Sequence, residues 1–188
     1  MKIGVLAVQG DFAAHARMLR RVGVEPVEVR RASELDGLDG IIIPGGESTT
    51  MLKFIEAEQL GGAIQRFAES QKPILATCAG AILVARRVSN PPQPSLDLID
   101  IDVARNAYGR QVDSFISAVD TTLAGGPLEA VFIRAPKITR TGERVMTIAT
   151  LDGEPVMVRQ GKLVAATFHP ELTDDERAHR LLVEIAKA

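Results

Sequence analysis

The chain has 188 residues, enough to bury a core of its own, and reads as one domain over residues 1–188. Its formal charge of −2 provides no basic surface of the kind that grips nucleic acid. A single cysteine excludes an internal disulfide, the three scattered histidines lack zinc-site spacing, and no apolar run approaches the length of a membrane span. These features lead us to expect a soluble cytoplasmic protein with no metal or cofactor.

Residues 3–8 form an apolar stretch too short for a secretory signal and are read as a first buried strand. A helix is predicted over 11–22, with Phe12, His15, Met18 and Leu19 on one face. A strand over 24–29 follows, broken near its start by Pro26, and then Gly40-Ile41-Ile42-Ile43, whose β-branched run suits a strand buried on both faces. Helical patterns occupy 48–58 and 60–69. A short strand over 73–77 leads into a helix over 79–85. Strands alternating with helices imply a mainly parallel α/β sheet with helices on both faces.

From Ser89 the texture changes. A proline-rich loop over 89–94 gives way to short strands near 101–104, 115–119, 130–133, 145–150, 155–159 and 163–168. Leu151-Asp152-Gly153-Glu154 and Gln160-Gly161-Lys162 carry hairpin-turn chemistry. Thr173-Asp174-Asp175-Glu176 has the pattern of a capping box and is read as opening a last helix that runs to about Lys187.

Three segments carry chemistry. Cys78 stands where the strand over 73–77 turns abruptly into the next helix, the setting of a nucleophile elbow. Helical N–H groups beside it favour a thiolate and an oxyanion together. His169-Pro170-Glu171 ends the strand over 163–168. An extended segment there would place Glu171 on the same side as His169, where a carboxylate can orient an imidazole. Pro44-Gly45-Gly46-Glu47-Ser48-Thr49-Thr50 lacks the Gly-Lys-Ser/Thr ending of a phosphate loop. It reads either as a tight turn with Ser48 capping the next helix, or as a donor loop whose Gly46 N–H faces a reacting carbonyl. His15 and His179 read as ordinary helix residues, and Arg20-Arg21 and Arg86-Arg87 as solvated faces or partner contacts.

Taken together, these segments resemble the class I, triad-type glutamine amidotransferases, whose fold is flavodoxin-like. Within that class the chain is similar to the glutaminase subunits of two-component pyridoxal 5′-phosphate synthases. The likeness is nearly full length. It includes Leu6-Ala7-Val8-Gln9-Gly10, the Gly45-Gly46 segment, Thr77-Cys78-Ala79-Gly80, Arg105-Asn106-Ala107-Tyr108-Gly109-Arg110-Gln111, Phe132-Ile133-Arg134-Ala135-Pro136 and Phe168-His169-Pro170-Glu171. One departure is Ala76, where the class usually has glycine two residues before the nucleophile. Alanine is small enough for the turn to survive.

The resemblance implies hydrolysis of L-glutamine to L-glutamate and ammonia, with Cys78 as nucleophile, His169 as base and Glu171 as its orienting carboxylate. It implies oxyanion donors at Gly46 and Ala79, and a glutamine site lined by Gly46, Glu47, Ser48, Arg105, Ile133 and Arg134. Either arginine suits an α-carboxylate through paired N–H donors. The implied partner is the synthase subunit, joined in a large hetero-oligomer. Two rival readings are another α/β cysteine enzyme with an elbow, which has no need of the C-terminal His-x-Glu, and a non-catalytic regulatory module on the same fold.

Overall fold

The computed structural model describes residues 1–106 and 114–188, so Ala107 to Gln111 of the Arg-Asn-Ala-Tyr-Gly-Arg-Gln segment lie outside the described residues. In chain order, the first half contains β1 (Lys2–Leu6), α1 (Phe12–Arg21), β2 (Glu25–Val29), β3 (Gly40–Ile43), α2 (Ser48–Ala57), α3 (Leu60–Glu69), β4 (Ile74–Thr77) and α4 (Ala79–Val84). The second half contains β5 (Ala85–Ser89), β6 (Ile99–Ala104), β7 (Ser114–Thr121), β8 (Leu128–Ile133), β9 (Lys137–Thr141), β10 (Met146–Leu151), β11 (Glu154–Gln160), β12 (Leu163–Ala166) and α5 (Arg177–Lys187).

Nine strands form one sheet in the order β2-β1-β3-β4-β12-β11-β10-β7-β8. The first five pair in parallel, and from β12 outward every pairing is antiparallel. This is the predicted parallel α/β half joined to a strand-rich half, and β12 is the join. It lies parallel to β4, so the segment before His169 ends at the same sheet edge as the segment before Cys78. A smaller sheet, β5-β6-β9, packs beside it.

The β3 run shows how the sheet is buried. Ile41 and Ile43 face a core filled by Met51, Ile55, Leu60 and Ile64 of α2 and α3. Ile42 faces the opposite core, with Leu19 of α1 and Leu182 and Ile185 of α5. Alternation along a strand covered on both faces accounts for an unbroken Ile-Ile-Ile. Pro26 is tolerated in β2 because that strand is the sheet edge, where a missing N–H costs no ladder bond. Asp152 and Gly153, with φ of 52° and 82°, close the two-residue hairpin between β10 and β11 as their chemistry requires.

Three local expectations are corrected. The helix after Cys78 lasts six residues, and Ala85–Ser89 leaves it as β5. An all-apolar run carries no period to separate helix from strand. Pairing with β6 and the Arg86–Asp100 ion pair at 3.0 Å place Ala85–Ser89 in a strand. β9 was not anticipated because Lys137–Thr141 is short and half exposed, and it is held by pairing with β6. α5 begins at Arg177, not at Thr173. The buried Thr173 hydroxyl donates to the Pro170 carbonyl and accepts from Asp175 N–H, closing a separate turn, and Asp175 Oδ1 accepts the Arg177 N–H. Among the described residues, no helix is long and apolar enough to cross a membrane.

Candidate active site

β4 delivers Cys78 to the carboxyl edge of the parallel strands, where open α/β sheets hold ligands. The cysteine adopts φ 48° and ψ −106°, a backbone conformation that costs on the order of 1–3 kcal/mol and persists only where its surroundings enforce it. Two contacts enforce it. The Cys78 N–H donates to the Ala166 carbonyl of β12 at 2.8 Å. Gly80 lies directly against the Ile43 carbonyl, where any side chain would collide, so α4 starts hard against β3. The turn forms with Ala76 fully buried two residues before the cysteine. Ala79 is the first residue of α4, and its N–H belongs to the group that the helix itself leaves unpaired.

His169 follows β12, and its backbone N–H donates to the Val131 carbonyl at 2.8 Å. Its Nδ1–H donates to Glu171 Oε1 at 2.7 Å, and both side chains are buried. The predicted partnership is present, but the predicted backbone is not. Pro170–Leu172 is a 3₁₀ turn, with Pro170 in its first position and Leu172 N–H returning to the His169 carbonyl. Proline's fixed φ suits that position, and the turn swings Glu171 back onto the ring. Burial pulls the His169 pKa down, yet hydrogen bonds to Cys78 and Glu171 outweigh it and push the value up to about 10.

The Gly45-Gly46 segment wraps over this pair. A side chain at Gly45 would sit 2.5 Å from His169 Cε1 and 3.2 Å from Cys78 Cβ. The loop is pinned by Gln9, whose Oε1 accepts the Glu47 N–H at 2.7 Å. Here another expectation changes. Glu47, not Ser48, caps α2, accepting from Thr49 N–H, Thr50 N–H and the Thr50 hydroxyl. Burial would raise the Glu47 pKa, but these donors hold it down at about 2. Ser48 is instead buried inside the first turn, donating to Gln93 Oε1 at 2.9 Å.

A cavity of about 300 Å³ opens above Cys78. Cys78, His169, Ala79, Gly46, Glu47, Ser48, Arg105, Ile133 and Arg134 all line it, and Glu171 lies behind His169. Arg105 is held 3.2 Å from Thr49 Oγ1 and 3.6 Å from Glu47 Oε1. Arg134 is exposed at the end of β8 with φ 46°. Sequence reasoning missed Asp11, Ile82, Asn106 and Pro136 on the wall, and the Gln9 pin. Asp11, directly after Gln9-Gly10, comes within 4.8 Å of His169 and Glu171. A larger cavity of about 510 Å³ lies at the opposite end of the strands, between Lys72 and Lys162, away from this chemistry.

A cysteine at a helix start, an imidazole against it and a buried carboxylate behind are the parts of a nucleophilic acyl-transfer site. The cavity adds two arginines and two carboxylates, the charge pattern that suits a free amino acid.

Comparison with known proteins agrees with this geometry. The sequence matches the profile of the SNO glutamine amidotransferase family over residues 5–187. It is 51% identical to the "Pyridoxal 5'-phosphate synthase subunit PdxT" of Solibacter usitatus, with 97% of each chain covered. It is 48% identical to the protein of that name from Thermotoga petrophila, with each chain covered in full. A solved structure of a glutamine amidotransferase superposes with a TM-score of 0.93 at 44% identity, covering 99% of both chains. Profile, full-length relatives and fold agree, and the chain belongs to the SNO glutamine amidotransferase family.

Proposed function

We propose that this protein is the glutaminase subunit of a two-component pyridoxal 5′-phosphate synthase, hydrolysing L-glutamine to L-glutamate and ammonia. The observation that carries the reading is the placement of Cys78 at the start of α4, against a His169 whose proton is held by Glu171. Cys78 passes its thiol proton to His169, its Sγ attacks the side-chain amide carbon, and the carbonyl electrons move onto oxygen. Ala79 N–H and the Gly46 N–H are the donors assigned to that oxyanion. His169 gives its proton to the departing ammonia, leaving a glutamyl thioester. Neutral His169 then draws a proton from water, which cleaves the thioester and frees glutamate. Glu171 stabilises the imidazolium at each stage where it forms.

The α-carboxylate of glutamine is assigned to Arg105 or Arg134, both of which line the cavity. Replacing the arginine that makes this contact by alanine is expected to raise KM far more than it lowers kcat. Lysine is expected to rescue poorly, because an ammonium cannot reproduce the planar fork. Steady-state kinetics of Arg105→Ala and Arg134→Ala check this, and unchanged KM in both removes the clamp.

The acceptor of the ammonia is the synthase subunit, docked in a hetero-oligomer. Docking also acts as a switch. The adjacent Gly45 and Gly46 can turn a peptide unit at little steric cost, aiming a donor N–H at the oxyanion or away from it. A partner that favours the competent conformer raises activity by shifting that population. The test is glutaminase activity with and without stoichiometric synthase subunit. The expected result is weak turnover alone and a marked rise in the complex. Full activity alone, with no complex formed, sinks the partner assignment and the switch while leaving a glutaminase. No turnover under either condition sinks the glutaminase.

A further inference from the structure

The mechanism uses one of the three histidines. The other two, His15 of α1 and His179 of α5, are fully buried on the face of the sheet behind the triad. They are joined to it. His15 Nε2 lies 3.2 Å from Glu171 Oε2 and 3.1 Å from Thr77 Oγ1, one residue before the nucleophile. His15 Nδ1 lies 2.9 Å from His179 Nε2. Glu171 Oε2 is fully buried and makes no well-aligned hydrogen bond among the described residues, and the His15 ring edge stands against it.

The carboxylate decides how these rings carry their protons. An oxygen lone pair of Glu171 facing an unprotonated Nε2 would be repulsive, so His15 carries its hydrogen on Nε2. Its Nδ1 is then an acceptor, and His179 must supply Nε2–H to it. The groups facing the two rings are Thr77 from β4, His169 and Glu171 from the segment after β12, and Glu176 before α5. Burial, then the neighbouring His179 and His169, lower the His15 pKa well below the usual imidazole value. Burial likewise takes His179 down to about 4 despite Glu176. Both rings are therefore neutral at physiological pH. Neutrality matters, because a charged His15 would compete with His169 for the Glu171 charge. A neutral donor directs the carboxylate without quenching it.

We infer that His15 is a positioning residue for the triad: its neutral Nε2 edge, anchored on Thr77 Oγ1, stands 3.2 Å from the second oxygen of Glu171 and orients the carboxylate so that the first oxygen faces His169, and His179 fixes the His15 tautomer that makes this possible. The role builds on the glutaminase reading, but the geometry can be tested apart from turnover.

Only three imidazoles contribute to the spectrum of the full chain, so ¹⁵N-histidine NMR resolves each ring. The wild-type protein should show neutral Nε2–H tautomers for His15 and His179, with His169 still protonated near pH 9. A charged His15, or its Nδ1–H tautomer, overturns the inference directly, whatever any variant does. His15→Leu should lower the glutaminase kcat of the complex about tenfold to hundredfold with little change in KM, the scale seen when a group orienting a reactive one is lost. It should also bring the His169 titration to lower pH. His15→Gln, whose amide nitrogen reaches the same place as the ring Nε2, should restore both. Equal losses in the leucine and glutamine variants, with the His169 titration unmoved, would mean that His15 only fills space. If the wild-type complex releases no ammonia but its rings titrate as described, the glutaminase reading fails and the positioning of Glu171 stands.

Discussion

Replacing Cys78 by alanine or serine should reduce glutamine hydrolysis by about 10⁴-fold or more and leave the protein folded. The loss is large because the thioester route disappears with the sulfur. What remains is positioning and the oxyanion donors, which no longer have a covalent intermediate to stabilise. The fold should survive because the turn does not depend on the sulfur. Sγ faces His169 and lies 3.9 Å from the Ile133 carbonyl, while the turn itself is secured by backbone contacts to Ala166 and Ile43. Ammonia release by the complex, with circular dichroism and a melting curve on the same preparation, checks both halves. Substantial turnover by a well-folded Cys78→Ala protein would falsify the assignment of the nucleophile.

His169→Asn should be nearly as damaging. No other imidazole has access to the cavity, since His15 and His179 are sealed behind Glu171. Asparagine fills similar space but cannot carry the proton to ammonia. Glu171→Gln should be milder in rate and diagnostic in pH. In the wild type, burial acts against His169 protonation, and hydrogen bonds to Cys78 and Glu171 overcome it to hold the pKa at about 10. Activity that depends on the protonated ring is therefore kept across neutral pH and lost as pH rises through that value. Removing the Glu171 charge takes away one of the supports of the proton, so the alkaline limb of kcat/KM should move to lower pH. Combining His169→Asn with Cys78→Ala should add little, because residues that act as one unit fail together. Multiplicative losses, or an unmoved alkaline limb in Glu171→Gln, would place the proton transfer elsewhere.

The elements that set up this site were legible because their signals are local. Gly40-Ile41-Ile42-Ile43 can only be satisfied between two apolar layers, and the β4–Cys78–α4 junction announces itself by an apolar strand meeting an alanine- and glycine-rich helix start. Asp152-Gly153 names its own turn through the positive φ it tolerates. Cys78, His169 and Glu171 could be nominated for the same reason. Cys78 and His169 each follow a strand-like run, with Glu171 two residues further on, and β12 lies parallel to β4, so the ends of both strands meet at one edge.

Elsewhere, long-range contacts overrode the local preference. Thr173 has the spacing of a helix cap, but its hydroxyl is committed to the Pro170 carbonyl, so α5 starts at Arg177. Ser48 stands where a cap belongs, yet Glu47 reaches the free N–H groups of α2 while Gln93, from a distant loop, takes the serine hydroxyl. Glu171 meets His169 through a 3₁₀ turn, not along an extended strand. His15 reads from its helix as an apolar-face residue and nothing more. Its neighbours Thr77, Glu171 and His179 lie 62, 156 and 164 positions away and are brought to it by the order of strands in the sheet. By itself the sequence determined most of the strands, the elbow and the candidate reacting groups, because backbone preference and periodicity act over a few residues. Only the tertiary structure decided which polar groups satisfy one another, because the free energy of a buried hydrogen bond depends on partners that chain-local preferences cannot specify.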